Sequence, residues 1–423
     1  MSPAGTSWRA ETGGANLNRD FSWHRPGLDP DCTALAIQLE GCGITLPEVG
    51  GDASEAMLFG IGGGIGCGVF QFVYEKNDFS SFYLAGRCHW DDSLAWYRGV
   101  AGRLGLECEV FESGGKKAAA KTLGQWLERG RPVVAWVDAG SLPYRGLGGF
   151  LEGGGYHTLS VYGEAGGQIW LGDLAPDPIG IEAGSLAEAR ARIRKHRNRL
   201  LQITPGPVNA GLEDLVWGGL EYGWRALQNP RVAGFSLAAL ETWGRRLAGS
   251  DGKHAWSTAF PIGHRLLAGL SSITRFIESY DGDGCLHRRL MAQFLREAGD
   301  RLEEKGLVKL AGDYDALADS WQELARAALP DEVPPLAELR RGLVAARNGY
   351  LDSGSDAGEQ NLTAAAAIEE LGAELADGAS FPIADSEVPG FLASLSGSVL
   401  EIAAAENAAQ EKIGSLLSDR GRL

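Results

Sequence analysis

Three residues of this sequence have the types and the order needed for thiol-dependent acyl transfer: Cys32, His157 and Asp173. Cys32 stands at the start of a predicted helix. There the helix dipole and the unpaired backbone N–H groups favour thiolate over thiol. The same groups favour an oxyanion, so the Cys32 amide is a candidate for half of an oxyanion hole. His157 follows Gly153-Gly154-Gly155-Tyr156 and opens the strand Thr158–Tyr162. A histidine at a strand start after a flexible loop can face a cleft. Asp173 ends the next strand, so across a hairpin it stands beside His157 and can fix the imidazole tautomer. Each residue also has a plain structural reading. Cys32 would be a small core residue, His157 a hydrogen-bonded structural histidine, and Asp173 a turn aspartate ahead of Pro176 and Pro178.

The elements that must position these residues can be read from periodicity. Asp31–Gly41 reads as a helix, with Pro30 and Asp31 suiting its start. Ser54 caps a second helix, and Leu94–Leu104 and Ala118–Arg129 are further amphipathic helices. Strand-like runs lie at Val69–Val73, Cys108–Phe111, Pro132–Val137, Thr158–Tyr162 and Gln168–Leu171. The last two are joined by Gly163–Gly167, a hairpin-like turn. Helices followed by antiparallel pairs indicate an α+β domain. Beyond Pro205-Gly206-Pro207 strand signals nearly vanish and helical periodicity takes over, from Leu212–Leu227 to Leu392–Leu417. An all-α bundle is expected there. The expected organisation is an irregular arm over 1–24, a catalytic domain over 25–205 and a helical domain over 206–423. At 423 residues, each of the two domains can carry its own core.

Composition excludes several classes. The formal net charge of −16 opposes nonspecific nucleic-acid binding, which needs clustered Lys and Arg. It is equally a poor match to an anionic membrane surface. Six cysteines without a C-x-x-C pair argue against a disulfide framework or a structural zinc site, and no metal site is expected. The first twenty residues are polar, so no signal peptide is expected and a cytoplasmic setting follows. Ala56–Tyr74 has no charge, but its six glycines suit a buried helix start, a Gly-rich turn and a strand better than a membrane span. The Gly60–Gly66 run lacks phosphate-loop spacing. Asp281-Gly282-Asp283-Gly284 resembles part of a calcium loop, but its ligands stop there, and it reads as a turn capping a helix. The basic run Arg190–Arg199, with Arg192, Arg194, Lys195 and Arg197, reads first as a solvated helix face. Its functional reading is a docking patch for an acidic partner.

A cysteine at a helix N-terminus, a histidine on a later strand and an aspartate on the next is the layout of papain-like enzymes. The sequence also resembles a known family. Asp31-Cys32-Thr33-Ala34-Leu35, the block Ser54-Glu55-Ala56-Met57-Leu58-Phe59-Gly60, Tyr156-His157-Thr158 and Gly172-Asp173 resemble the N-terminal domain of the butirosin biosynthesis protein H family. Pro132-Val133, Val137-Asp138 and Leu142-Pro143-Tyr144 look like it as well. The likeness covers about residues 25–205. The second domain is similar to the helical domain of unknown function that often follows, clearest at Leu290–Leu295 and Trp321.

The resemblance implies a papain-like fold and transfer of an acyl group from a carrier-protein thioester to an amine in natural-product biosynthesis. By that resemblance Cys32 is acylated, His157 is the base, and Asp173 is its acidic partner. Glu55, Tyr144 and Tyr156 are the expected substrate contacts. No cofactor is expected beyond a 4′-phosphopantetheine thioester carried in as substrate. The implied partners are an acyl carrier protein and a small amine. The family usually has His directly before the cysteine; here Asp31 stands there, and a carboxylate beside Cys32 would raise the thiol pKa. Two other classes compete: a cysteine amidohydrolase or peptidase using the same triad, and a degenerate member that binds without catalysis.

Overall fold

Val133-Val134-Ala135-Trp136-Val137-Asp138 is buried on both sides, and its alternation shows what lies on each. Val134 and Trp136 face a core shared with α1 (Pro30–Gly41), whereas Val133, Ala135 and Val137 face α4 (Lys116–Leu127) and α5 (Ala183–Arg192). A strand covered on both faces must be apolar throughout, and this one is. In the computed structural model, which describes residues 21–46, 54–77, 79–147, 153–280, 282–376 and 381–423, it is β4 of a six-stranded antiparallel sheet. The sheet consists of β3 (Cys108–Phe111), β4, β5 (Tyr156–Ala165), β6 (Gln168–Gly172), β7 (Ile179–Glu182) and β8 (Leu200–Ile203). Its order is β3-β8-β4-β5-β6-β7. A separate hairpin pairs β1 (Ile65–Tyr74) with β2 (Phe79–Arg87). The helices α2 (Glu55–Ile61) and α3 (Ser93–Leu104) flank it in sequence.

The expected α+β region is therefore present, including the β5–β6 hairpin. Three strands had no clear sequence signal. Both β7 and β8 have four residues, and β2 alternates buried and half-exposed aromatics with Ser and Gly. The charge-free stretch is α2 followed by β1, as its glycines suggest. Those glycines serve packing: a Cβ on Gly60 would lie 2.2 Å from the Phe294 ring, and one on Gly62 2.3 Å from the Trp96 indole. Most of the arm expected over 1–24, residues 1–20, lies outside the described residues.

From Leu212 onward every regular element among the described residues is helical. These are α6 (Leu212–Gln228), α7 (Leu237–Leu247), α8 (Trp256–Ala259), α9 (His264–Thr274), α10 (Arg288–Arg301), α11 (Lys305–Ala328), α12 (Pro334–Ser353), α13 (Gly358–Leu375) and α14 (Val388–Ser418). The helix expected over Thr258–Tyr280 is broken at Phe260–Gly263, and it ends in a π-helical turn, Arg275–Ser279. The buried apolar residues form two clusters, and neither is confined to one side of residue 205. One apolar cluster runs from Leu35 and Trp136 through the β1–β2 hairpin to Trp217, Trp256, Trp321 and Leu417. The reason is that the hairpin and α2 pack on α6, α9 and α10 rather than on the sheet.

α14 is long and apolar enough, by length and composition, to cross a membrane. In the fold its inward positions recur at helical spacing, from Leu392 through Val399 and Glu406 to Ile413. Glu406 accepts from Arg288 Nε at 2.7 Å and from the Trp321 indole at 3.0 Å, all of them buried. Removing one partner of such a pair leaves the other charge uncompensated. Glu406→Ala is expected to destabilise the protein by about 3–5 kcal/mol. Asp319→Ala, at the exposed Arg289–Asp319 pair, is expected to cost under about 1 kcal/mol. Urea denaturation of both variants checks the contrast.

Candidate active site

Asp29 caps α1. Its Oδ1 accepts the Cys32 amide at 2.8 Å, and Pro30 takes the first helical position. This fixes the helical phase, and phase decides what each side chain meets. Asp31 points toward β5, where its Oδ1 accepts from Thr158 Oγ1 at 2.8 Å and its carbonyl accepts from Tyr97. Cys32, one residue and about 100° further round, is fully buried in the apolar core. Arg87, from the end of β2, bridges the two aspartates. It ion-pairs with Asp31 Oδ2, and its Nε lies 3.2 Å from Asp29 Oδ2. His287 Nε2, 3.0 Å from Asp29 Oδ2, completes the cluster.

His157 opens β5, and its Nε2 lies 2.8 Å from Asp173 Oδ1. Asp173 is held from behind by the Tyr144 hydroxyl at 2.8 Å and by the Leu174 amide at 2.9 Å. Burial opposes its charge, but His157, Arg145 and Tyr144 outweigh burial and hold the carboxyl well below its ordinary range. The loop leading to His157 is tied by Asp138, whose carboxylate accepts the amides of Gly153 and Gly155 at 3.0 Å each.

His157 lines a small cavity together with Asp29, Asp31, Arg87, Ser93, Trp136, Tyr156 and Thr158. The helical region closes it with Phe276, Tyr280, Leu286 and His287. Tyr280 donates to the Tyr156 carbonyl at 3.0 Å, stitching the two regions at the rim. Phe276 belongs to the π-helical turn, and Leu286 and His287 both have left-handed backbones, with φ of 52° and 69°. Such features are common around functional sites.

Residues 33–174 match the family described as Butirosin biosynthesis protein H, N-terminal. Residues 184–337 match one described as Domain of unknown function (DUF4872). The two matches follow one another along the chain, as the sequence resemblance led one to expect. No curated protein matches the chain. The butirosin-H-type match includes His157 and Asp173 and begins directly after Cys32.

Several sequence expectations are corrected by the butirosin-H-type fold. His157 and Asp173 meet as expected, but Cys32 is not among the residues lining their cavity; Asp31 holds the cavity-facing place at the start of α1. The Cys32 amide, expected as an oxyanion donor, is bonded to Asp29 Oδ1 at 2.8 Å. The thiol pKa is raised well above its ordinary value, first by burial and then by the charges of Asp29 and Glu55. Asp31, expected to disfavour the thiolate, instead spends its charge on Arg87 and Thr158. Glu55 and Tyr144 stand behind the cavity rather than in it. Glu55 Oε1 accepts the amides of Leu28 and Asp29 at 2.8 and 2.7 Å, and Tyr144 supports Asp173. Tyr156 does line the cavity. The basic run is no single helix face: α5 ends at Arg192, and Arg190 turns inward to the Asn198 carbonyl. Arg192, Arg194, Lys195 and Arg197 are exposed, and the Lys195 ammonium lies 5.5 Å from the Tyr156 ring. Asp283 does cap its turn, through the amides of Cys285, His287 and Leu290; Asp281 lies outside the described residues.

The sequence reading missed Arg87 and His287. The signal available for Arg87 was Gly86, where a Cβ would lie 2.3 Å from the Leu286 carbonyl. His287 gave none, since its partner Asp29 is 258 residues away.

Glu55 gives the site a pH signature. Burial raises its carboxyl from the ordinary 4.5 to about 7, more than its N–H donors lower it. Between those values the folded protein binds a proton that the unfolded chain does not, so stability falls as pH rises from about 4.5 to about 7. Glu55→Gln is expected to flatten that part of the profile, read as urea midpoints from pH 4 to 8. An unchanged slope would show that Glu55 ionises normally.

Proposed function

We propose that this protein is an acyltransferase of papain-like architecture, acting in natural-product biosynthesis, in which His157 activates an amine that attacks a pantetheine thioester directly. The observation that carries this reading is the buried His157–Asp173 pair at a cavity with no cysteine among its described lining residues. The papain-like architecture is supported by order and placement: α1 packed on the sheet, the base on β5 and its orienter directly after β6.

In this scheme the amine nitrogen attacks the thioester carbonyl as His157 takes one amine proton. Nε2 is engaged by Asp173, which orients the ring. Asp173, held ionised, stabilises the imidazolium. The C–N bond forms, the C–S bond breaks, and the imidazolium proton passes to the departing pantetheine thiolate. No acyl-enzyme is formed, and Cys32 is a core residue. The exposed Arg192, Arg194, Lys195 and Arg197, beside Tyr156, are the docking patch for an acidic carrier protein.

A second reading, binding without catalysis, is favoured by one observation: Arg87 and Thr158 already occupy the carboxylate of Asp31, the residue facing the cavity where a nucleophile would stand.

Acyl-N-acetylcysteamine thioesters, simple mimics of the pantetheine end, incubated with primary amines test these readings by mass spectrometry of the product. His157→Ala is expected to lower amide formation about 10²–10⁴-fold, and Asp173→Asn to lower it as well. Cys32→Ala should retain turnover within a few-fold, with no acyl adduct on the intact protein. An adduct on Cys32, lost together with activity in Cys32→Ala, would replace direct transfer with the covalent route. Free acid in place of amide at saturating amine would make the protein a hydrolase. Thioester binding without turnover would select the binding reading.

A further inference from the structure

Beside the His157 cavity runs a much larger groove, of about 950 Å³, which no step above uses. Its floor is one face of the β1–β2 hairpin. Side chains alternate along strands, so Phe70, Phe72 and Tyr74 share a face, paired across the hairpin with Tyr83, Ser81 and Phe79. Their rings form a continuous ladder: Phe70 to Phe72 at 6.5 Å, Phe72 to Tyr74 at 6.4 Å and Tyr74 to Phe79 at 5.7 Å. Phe72, Tyr74 and Phe79 are 44–49% exposed. Scattered apolar residues on a surface are ordinary, but a contiguous aromatic run marks a binding site.

What that site takes follows from where the strand leads. On β2 the residues after Tyr83 on the same face are Ala85 and Arg87, and both line the His157 cavity. Groove and cavity share four wall residues, Trp90, Tyr156, Phe276 and Tyr280. From Phe79 to Arg87 the strand spans roughly 26 Å at about 3.3 Å per residue. An apolar track of this length, ending at a base and within the size range of small-molecule sites, fits a ligand with a long apolar tail and a reactive head.

We propose that the groove binds the acyl chain of the donor, and that this chain is an elongated alkyl group laid along Phe72 and Phe70 with its thioester carbonyl at the Arg87 end. This rests on the acyl-transfer reading for its chemistry but not for its test. Binding of saturated acyl-N-acetylcysteamine thioesters of two to fourteen carbons can be measured by calorimetry on His157→Ala, which does not turn them over. Affinity is expected to climb with chain length, by up to about fourfold per methylene at about 0.8 kcal/mol each. Phe72→Asp, at a half-exposed position, should weaken the ten-carbon ligand at least tenfold and leave the two-carbon ligand unchanged. Tyr74→Ser should do the same to a smaller degree, and unchanged melting temperatures would exclude misfolding as the cause.

Affinity independent of chain length would overturn the proposal. So would a Phe72→Asp that only converts a dimer to a monomer on size exclusion, which would make the ladder a contact between copies. The two readings fail separately. Length-dependent binding without amide formation by the wild type would keep the groove and sink the transferase. Amide formation with short and long chains alike would do the reverse.

Discussion

The site is organised by one buried cation. Arg87 carries its charge into the apolar core and is tolerated there because Asp29 and Asp31 flank it. Burying any of the three alone would cost several kcal/mol. Together they fix the end of β2 against the start of α1. Since α1 lies on β5, this contact also sets the hairpin against the sheet that carries His157. The Arg87 guanidinium lies over the Trp96 ring at 4.9 Å, which links α3 to the same point. His287 adds α10's leading edge through Asp29. Four segments far apart in sequence thus converge on one charge cluster, and the cavity is the space left among them.

This explains why the helical region is no mere appendage. Phe276, Tyr280, Leu286 and His287 form a wall of the cavity, and the continuous core leaves no plane along which the two regions could part without exposing large buried tryptophans. The aromatic residues Trp90, Tyr156, Phe276 and Tyr280 are walls of both the narrow cavity and the wide groove.

Local signals carried much of this into the sequence. Pro30 and Asp31 marked the start of α1; an unbroken apolar run marked β4; the glycine turn marked the β5–β6 hairpin. With them came the pairing of His157 with Asp173, because adjacent antiparallel strands place their ends together. What stayed hidden was of two kinds. The short strands β7 and β8 carry too few residues to show a period, and their pairing comes from the sheet. Long-range charge partners carry no local mark at all: none of Asp29, Arg87 and His287 stands in a motif. The separation of Tyr144 and Glu55 from the cavity was likewise invisible, since a residue supporting a site and a residue lining it share the same stretch of sequence.

The place of Cys32 turns on the smallest of these details. A helix start is a good place for a thiolate only if the side chain faces the polar side of that start. With Asp29 as cap and Pro30 at the first position, Asp31 takes the face toward β5 and Cys32 the face toward α2. Shifting the start by one residue would exchange them, but Glu55 holds the Leu28 and Asp29 amides and Asp29 holds the Cys32 amide. The arrangement therefore sets a carboxylate paired with Arg87 and Thr158, rather than a thiol, at the cavity-facing place of α1, beside the buried His157–Asp173 pair.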